Sequence, residues 1–178
     1  MDLVELLDTG FQCLETSSLS TLTDDKLFSR LVELWQFFFG TILPYLEAVF
    51  LPLRIEFQGM ASIVPAKEAR EYDEELDVRR NALIGFRDKL VLSQADRLHG
   101  LFCKIQFDVS SKVAVTDTAS RMLQCVCILA SILSRDDKQE QMDHLAKTLK
   151  QTWFRGRIGG DRRGFVSKRN GGPKEGRV

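Results

Sequence analysis

Few side chains in this 178-residue sequence stand at spacings that could do chemistry. Its two histidines, His99 and His144, sit on amphipathic stretches of helical period without other ligands at metal-binding spacing, so each reads as a partly exposed helix residue. The four cysteines, Cys13, Cys103, Cys125 and Cys127, contain no CxxC pair, which argues against a zinc site or a disulfide framework and suits a reducing, intracellular compartment. Cys125 and Cys127 point to different helix faces and read as packing residues. Ser93 and Ser110 lack the glycines of a nucleophile elbow. The fragment RGRIGGDRRG is glycine-rich but lacks GxxxxGK and does not join a strand to a helix. No catalytic residue, cofactor site, metal site or small-molecule substrate is therefore expected. The chemistry that remains is recognition by charge. Glu47 is the single charge in a long apolar run; it is either a solvent-facing helix residue, the simpler reading, or a buried carboxylate awaiting Arg79, Arg80 or Arg87 in a bidentate contact.

The run that contains Glu47 organises the chain. Residues 34–53, LWQFFFGTILPYLEAVFLPL, hold six aromatics, seven Leu, Ile or Val, and two prolines. Leaving such a surface in water costs about 25 cal/mol per Å², so either the rest of the chain or a partner must cover it. A membrane span is disfavoured because Gln36, Gly40, Pro44, Glu47 and Pro52 interrupt the run, and a lone carboxylate near its centre is costly in lipid. The opening MDLVELLD is acidic where a signal peptide is basic. A buried core segment is the preferred expectation.

A length of this order suits one domain with a real core. Charge balances at 25 against 25, yet residues 155–178 hold eight Lys or Arg against Asp161 and Glu175, a tail of +6 on a body of −6. That tail is glycine-rich and poor in core-forming residues, so it is expected to be mostly disordered.

The elements that must position these groups are helices, since nothing alternates as a sheet strand does. Residues 2–15 repeat Leu3, Leu7, Phe11 and Leu14. A loop over 16–23 precedes a second helix, opened by Asp24 and Asp25, with Leu27, Leu31, Leu34 and Phe38 as its stripe and Phe28, Trp35 and Phe39 beside it. Gly40 ends or bends that helix; Pro44 opens a short one carrying Tyr45, Leu46, Val49 and Phe50; Pro52 closes it. Residues 54–75 read as a loop around Gly59 and Pro65. A third main helix from Glu74 or Glu75 turns Leu76, Leu83, Phe86 and Leu90 inward. Later helices over about 94–107, 118–133 and 136–153 use Leu98, Leu101, Phe102 and Ile105; Met122, Val126, Leu129 and Leu133; and Met142, Leu145, Leu149 and Trp153. The expected fold is all-α, a single irregular bundle of about six helices: a domain over 1–154, with core block 24–53, loop 54–75 and helices 76–153, then a disordered basic tail over 155–178.

The run FFFGTILPYLEAVFLPL, followed by LDVRRNALIGFRDKLVL, SRDDKQ, the Trp153 region and GRIGGDRRGFV, resembles the HbrB-like family, fungal proteins related to the animal Protor proteins. The resemblance spans roughly residues 20–166. It implies a non-catalytic accessory subunit of target of rapamycin complex 2, held by the Rictor-type scaffold subunit alongside the kinase. It further implies growth and cell-polarity signalling in the cytoplasm, with peripheral contact at the plasma membrane. Matching motif positions are Pro44, Tyr45, Glu47, Phe50 and Pro52, and Asp77, Arg79, Arg80, Phe86, Arg87 and Asp88. The apolar excess adds Trp35 and Phe38 as candidate partner contacts, since aromatics and Arg dominate interface energies. A second reading from a different class is a nucleic-acid or anionic-membrane binding module acting through the tail.

Overall fold

A computed structural model describes residues 3–15, 19, 21–60, 63–107 and 113–164. Among these residues the fold is all-α, with no strand. Helix α1 spans Leu3–Leu14 and α2 spans Asp24–Phe37. A π-helical turn over Phe38–Ile42 leads without a break into α3, Leu43–Met60. The chain continues through α4 (Ala66–Glu75), α5 (Val78–Phe86), a second π turn (Arg87–Val91), a 3-10 turn (Leu92–Gln94), α6 (Ala95–Phe107), α7 (Val113–Ala130) and α8 (Asp137–Gly164).

The predicted stripes become one core. Leu3, Leu7 and Phe11 of α1 are buried, as are Leu27, Phe28, Leu31, Leu34 and Phe38, then Leu83, Phe86 and Leu90, and Leu98, Leu101 and Phe102. Met122, Val126 and Leu129 of α7 and Met142, Leu145 and Leu149 of α8 complete it. Helix α8 packs on α6 and α7, α2 lies against both of these, and α1 packs on α5. The edge-on contacts Phe28–Phe102 (5.1 Å) and Phe102–Trp153 (6.2 Å) tie α2, α6 and α8 together.

Four expectations change. First, Gly40 does not end the helix and Pro44 does not open a separate one. The Leu43 N–H reaches back to the Phe38 carbonyl, and this wider π turn sits where Pro44 has no N–H to offer. Second, Pro52 does not close the segment. It lies inside α3, and both Pro52 and Ala48, whose carbonyl Pro52 cannot engage, are exposed, so the helix passes Pro52 without burying that freed carbonyl in the core. Third, the expected loop over 54–75 is mostly helix: α3 continues to Met60 and α4 begins at Ala66, with the Phe57 and Tyr72 rings 4.9 Å apart and Arg54 3.9 Å from Asp73. The third main helix begins later than expected, because the Asp77 side chain accepts from the Arg80 N–H at 3.0 Å and caps a new helix, while Asn81 Nδ2 donates to the carbonyls of Glu74 and Glu75 and closes the old one. Fourth, Leu133 is 74% exposed because α7 stops at Ala130. Helix α8 also runs to Gly164, beyond the start expected for the tail. Residues 165–178 and Ser110, like residues 16–18 and 20 of the expected loop over 16–23, lie outside the described residues.

Candidate functional site

The two motif blocks meet where α1, the long helix and α5 converge. Phe86 of α5 stacks on Phe38 (5.3 Å) and meets Trp35 (5.4 Å) and Phe11 (6.0 Å) edge-on; Phe11 in turn meets Phe38 at 5.1 Å. Trp35 continues the cluster by stacking on Phe39 at 5.1 Å, and the Arg79 guanidinium lies 5.6 Å from the Phe39 ring centroid. Arg79 then donates through Nε and Nη2 to the two Glu47 oxygens at 2.8 and 2.9 Å. This fork-to-fork pair joins α3 to α5. Glu47 is thus neither buried nor simply solvated: it is half-buried and paired, which corrects the simpler reading. The other two arginines serve a different place.

Arg87 is fully buried and leaves the Glu47 region altogether. Its Nε donates to Asp88 Oδ1 at 2.7 Å, and its Nη1 donates to Ser134 Oγ at 3.0 Å and Gln139 Oε1 at 3.1 Å. Asp88 is also bridged by Lys138 at 3.3 Å, and Arg80 Nη2 donates to the Leu133 carbonyl at 3.0 Å. The segment 133–139, which includes SRDDKQ, therefore packs against Arg80, Arg87 and Asp88 of LDVRRNALIGFRDKLVL. Ser134 Oγ donates to Asp136 Oδ1 at 2.6 Å, and Asp136 Oδ1 accepts from the Gln139 N–H at 3.1 Å. The Ser134 hydrogen bond, followed by that from Gln139, holds the Asp136 carboxyl below its ordinary pKa.

The surface lies on α3. Of the expected contacts, Phe38 is buried in the core, and Trp35 and Phe50 are partly buried against it. Pro44 and Pro52 are exposed, and Tyr45 is 69% exposed. Around them, Phe37, Val49, Leu51, Leu53, Ile55 and Met60 are each at least half exposed. Sequence reasoning missed Leu53, Ile55 and Met60 because it stopped the helix at Pro52. The expectation of a buried segment fails here: the helix Lys26–Met60 is long and apolar enough to cross a membrane by length and composition, and only 17% of its most apolar window is buried. Between Thr41 and Arg54 the sole charge is Glu47, which Arg79 engages from the α5 side. On the side of α1, a groove of about 750 Å³ with Leu7, Phe11, Leu34 and Phe38 among its lining residues continues this apolar surface toward Leu46.

Among the described residues no cluster of His, Cys, Asp and Glu could hold a metal ion. His99 and His144 are exposed and share a shallow cavity of about 470 Å³ between α6 and α8. The described cysteines are not in disulfides, and burial pushes the Cys125 thiol far above its ordinary range. Asp77, partly buried, serves as a helix cap, and Asp88, 9% exposed, is the counter-ion of Arg87.

The described residues thus form an all-α bundle whose α3 leaves an aromatic and aliphatic face uncovered. The family model described as HbrB-like matches residues 1–99, and the chain belongs to that family. The matched stretch contains α1 to α5 and every motif position of the first two blocks. The chain is also 31% identical over 140 residues to the target of rapamycin complex 2 subunit bit61 of Schizosaccharomyces pombe, a match that covers 76% of this chain and 33% of that protein. The chain thus spans about a third of the length of that curated relative. No solved structure matches.

Proposed function

We propose that this chain is a non-catalytic accessory subunit of target of rapamycin complex 2, held by the Rictor-type scaffold subunit through the exposed face of α3. The observation that carries the reading is the apolar surface of Tyr45, Val49, Leu51, Leu53 and Ile55 on a helix whose other half is anchored in the bundle. Each of these side chains is about half exposed, and covering what remains is worth roughly 1 kcal/mol per residue. A handful of such contacts around aromatic anchors is what a stable interface needs.

Two features favour a protein partner over a membrane span. The α2 half of the long helix buries Leu27, Phe28, Leu31 and Leu34, which a lipid-facing helix would turn outward. Glu47 is engaged by Arg79, so a span would carry an ion pair into the hydrocarbon. In this role the subunit acts in the cytoplasm, peripheral to the plasma membrane, in growth and cell-polarity signalling. Affinity purification of the tagged chain at physiological salt, with mass spectrometry of what is retained, tests it. Recovery of the scaffold and the kinase supports the reading. Their absence from preparations of a folded, helical chain overturns it.

A further inference from the structure

The corner between α7 and α8 holds a positive group whose bonding is incomplete. Arg87 is fully buried, and its Nη2 has no hydrogen-bond partner among the described residues. The nearest carboxylate oxygen, Asp136 Oδ1, is 3.6 Å away, beyond good hydrogen-bond distance. A buried guanidinium N–H left unpaired is costly, so this donor is poised for an acceptor that the described residues do not supply. The guanidinium is aimed at Ser134, whose Oγ accepts from Nη1 at 3.0 Å.

Ser134 itself is partly exposed, in the connection between the two helices. It stands just ahead of the N-terminus of α8, a 28-residue helix whose first-turn N–H groups and dipole favour negative charge. Arg80 donates to the carbonyl of the preceding residue, Leu133, and Arg135 and Lys138 follow in sequence. The acceptor also has a reading frame. In Ser134-Arg135-Asp136-Asp137, carboxylates lie two and three positions downstream, a pattern that a cationic substrate groove in a kinase recognises.

We propose that Ser134 is a phosphorylation site for an acid-directed protein kinase and that Arg87, assisted by Arg80, receives the phosphoryl group. In the transfer, Ser134 Oγ bonds to the γ-phosphorus of ATP as the bond to the β–γ bridging oxygen breaks. ADP leaves, and the hydroxyl proton passes to the kinase's base. The product carries a charge of about −1.5 to −2 and three acceptor oxygens. The hydrogen that Ser134 now gives Asp136 at 2.6 Å is lost, so like charge turns the Asp136 carboxylate away and a phosphoryl oxygen takes its place at Nη2. Asp88 stays on Arg87 Nε and Lys138. The modification therefore fastens the α7–α8 corner to the second π turn.

Two measurements on the full chain test this. Phosphoserine placed at position 134 by genetic code expansion raises Tm by about 2–4 °C, the shift expected of one net charge-assisted hydrogen bond in a domain of this size. Arg80→Gln, an exchange at a partly exposed site, reduces that rise. Treatment of the unmodified chain with an acid-directed kinase and ATP places phosphate on Ser134, as read by peptide mass spectrometry, and the Asp136→Asn/Asp137→Asn chain is modified at least tenfold more slowly. An unchanged or lowered Tm in the phosphoserine chain overturns the receiver, and absence of phosphate on Ser134 overturns the site.

Discussion

Replacing Arg87 by Met tests the reading that this motif arginine holds the fold together and does not face a partner. Met keeps most of the buried stem and removes only the guanidinium. Asp88, 9% exposed, then loses its 2.7 Å contact and keeps Lys138 at 3.3 Å; Gln139 Oε1 loses a 3.1 Å donor and keeps the Ser134 N–H at 3.1 Å. Removing one partner of a buried ion pair costs about 3–5 kcal/mol, because the remaining charge stays desolvated. At roughly 2–4 °C per kcal/mol for a chain of this size, Tm falls by about 6–20 °C, with a matching drop in the urea midpoint. Arg79→Met supplies the contrast. Its side chain is 49% exposed and Glu47 is 35% exposed, so the pair is worth about 0.2–1 kcal/mol, with up to about 1 kcal/mol more from the Phe39 contact. Circular-dichroism melts and urea titrations of both variants decide the matter. Equal, small losses for Arg87→Met and Arg79→Met would refute the argument that burial separates their roles.

Gly85→Ala is destabilising despite Ala's better helix propensity. An added Cβ would stand 2.7 and 2.9 Å from two ring carbons of Phe11, which Phe38 and Phe86 already confine, so the expected loss is about 1–3 kcal/mol in a urea titration. Asp24 gives the acid limb a defined component. Hydrogen bonds from Lys104 and then Arg97 hold its carboxyl below its ordinary 3.8, so its stabilising effect is complete above that pH and fades as pH falls through the lowered folded value. The Tm advantage of the wild type over Asp24→Asn is therefore constant from pH 7 to 5 and shrinks as pH falls below about 4; an advantage that stays constant or grows along the whole acid limb would contradict this.

Strong amphipathic periods were legible, and their stripes are the core: Leu3, Leu7 and Phe11, then Leu98 and Phe102, then Met142, Leu145 and Leu149. The all-α class followed from them. Helix ends were less legible because Gly and Pro act through solvent access as well as local preference. Pro52 ends a helix whose freed carbonyl is buried, but its neighbours here are exposed, so α3 runs on to Met60. That one error hid Leu53, Ile55 and Met60 from the candidate surface. The arginines were singled out correctly as carboxylate partners, yet residue type alone could not assign them. Arg79 takes Glu47, whereas Arg87 takes the adjacent Asp88 and the SRDDKQ corner far along the chain, a pairing set by the crossing of α5 with the α7–α8 connection. The apolar excess of residues 34–53 was visible from composition; which half of it the bundle covers was not, because that depends on where α1 and α5 pack against the long helix.

The central claim is that the uncovered α3 face holds this chain in its complex. Leu51→Glu and Ile55→Glu, made together, alter side chains that are 52% and 58% exposed, so the fold is expected to survive with Tm within about 2 °C of wild type. With two desolvated carboxylates set against an apolar partner surface, retention of the Rictor-type scaffold in a quantitative pull-down at physiological salt falls at least tenfold, equivalent to about 1.4 kcal/mol or more. Undiminished scaffold recovery by the folded double variant would contradict the account.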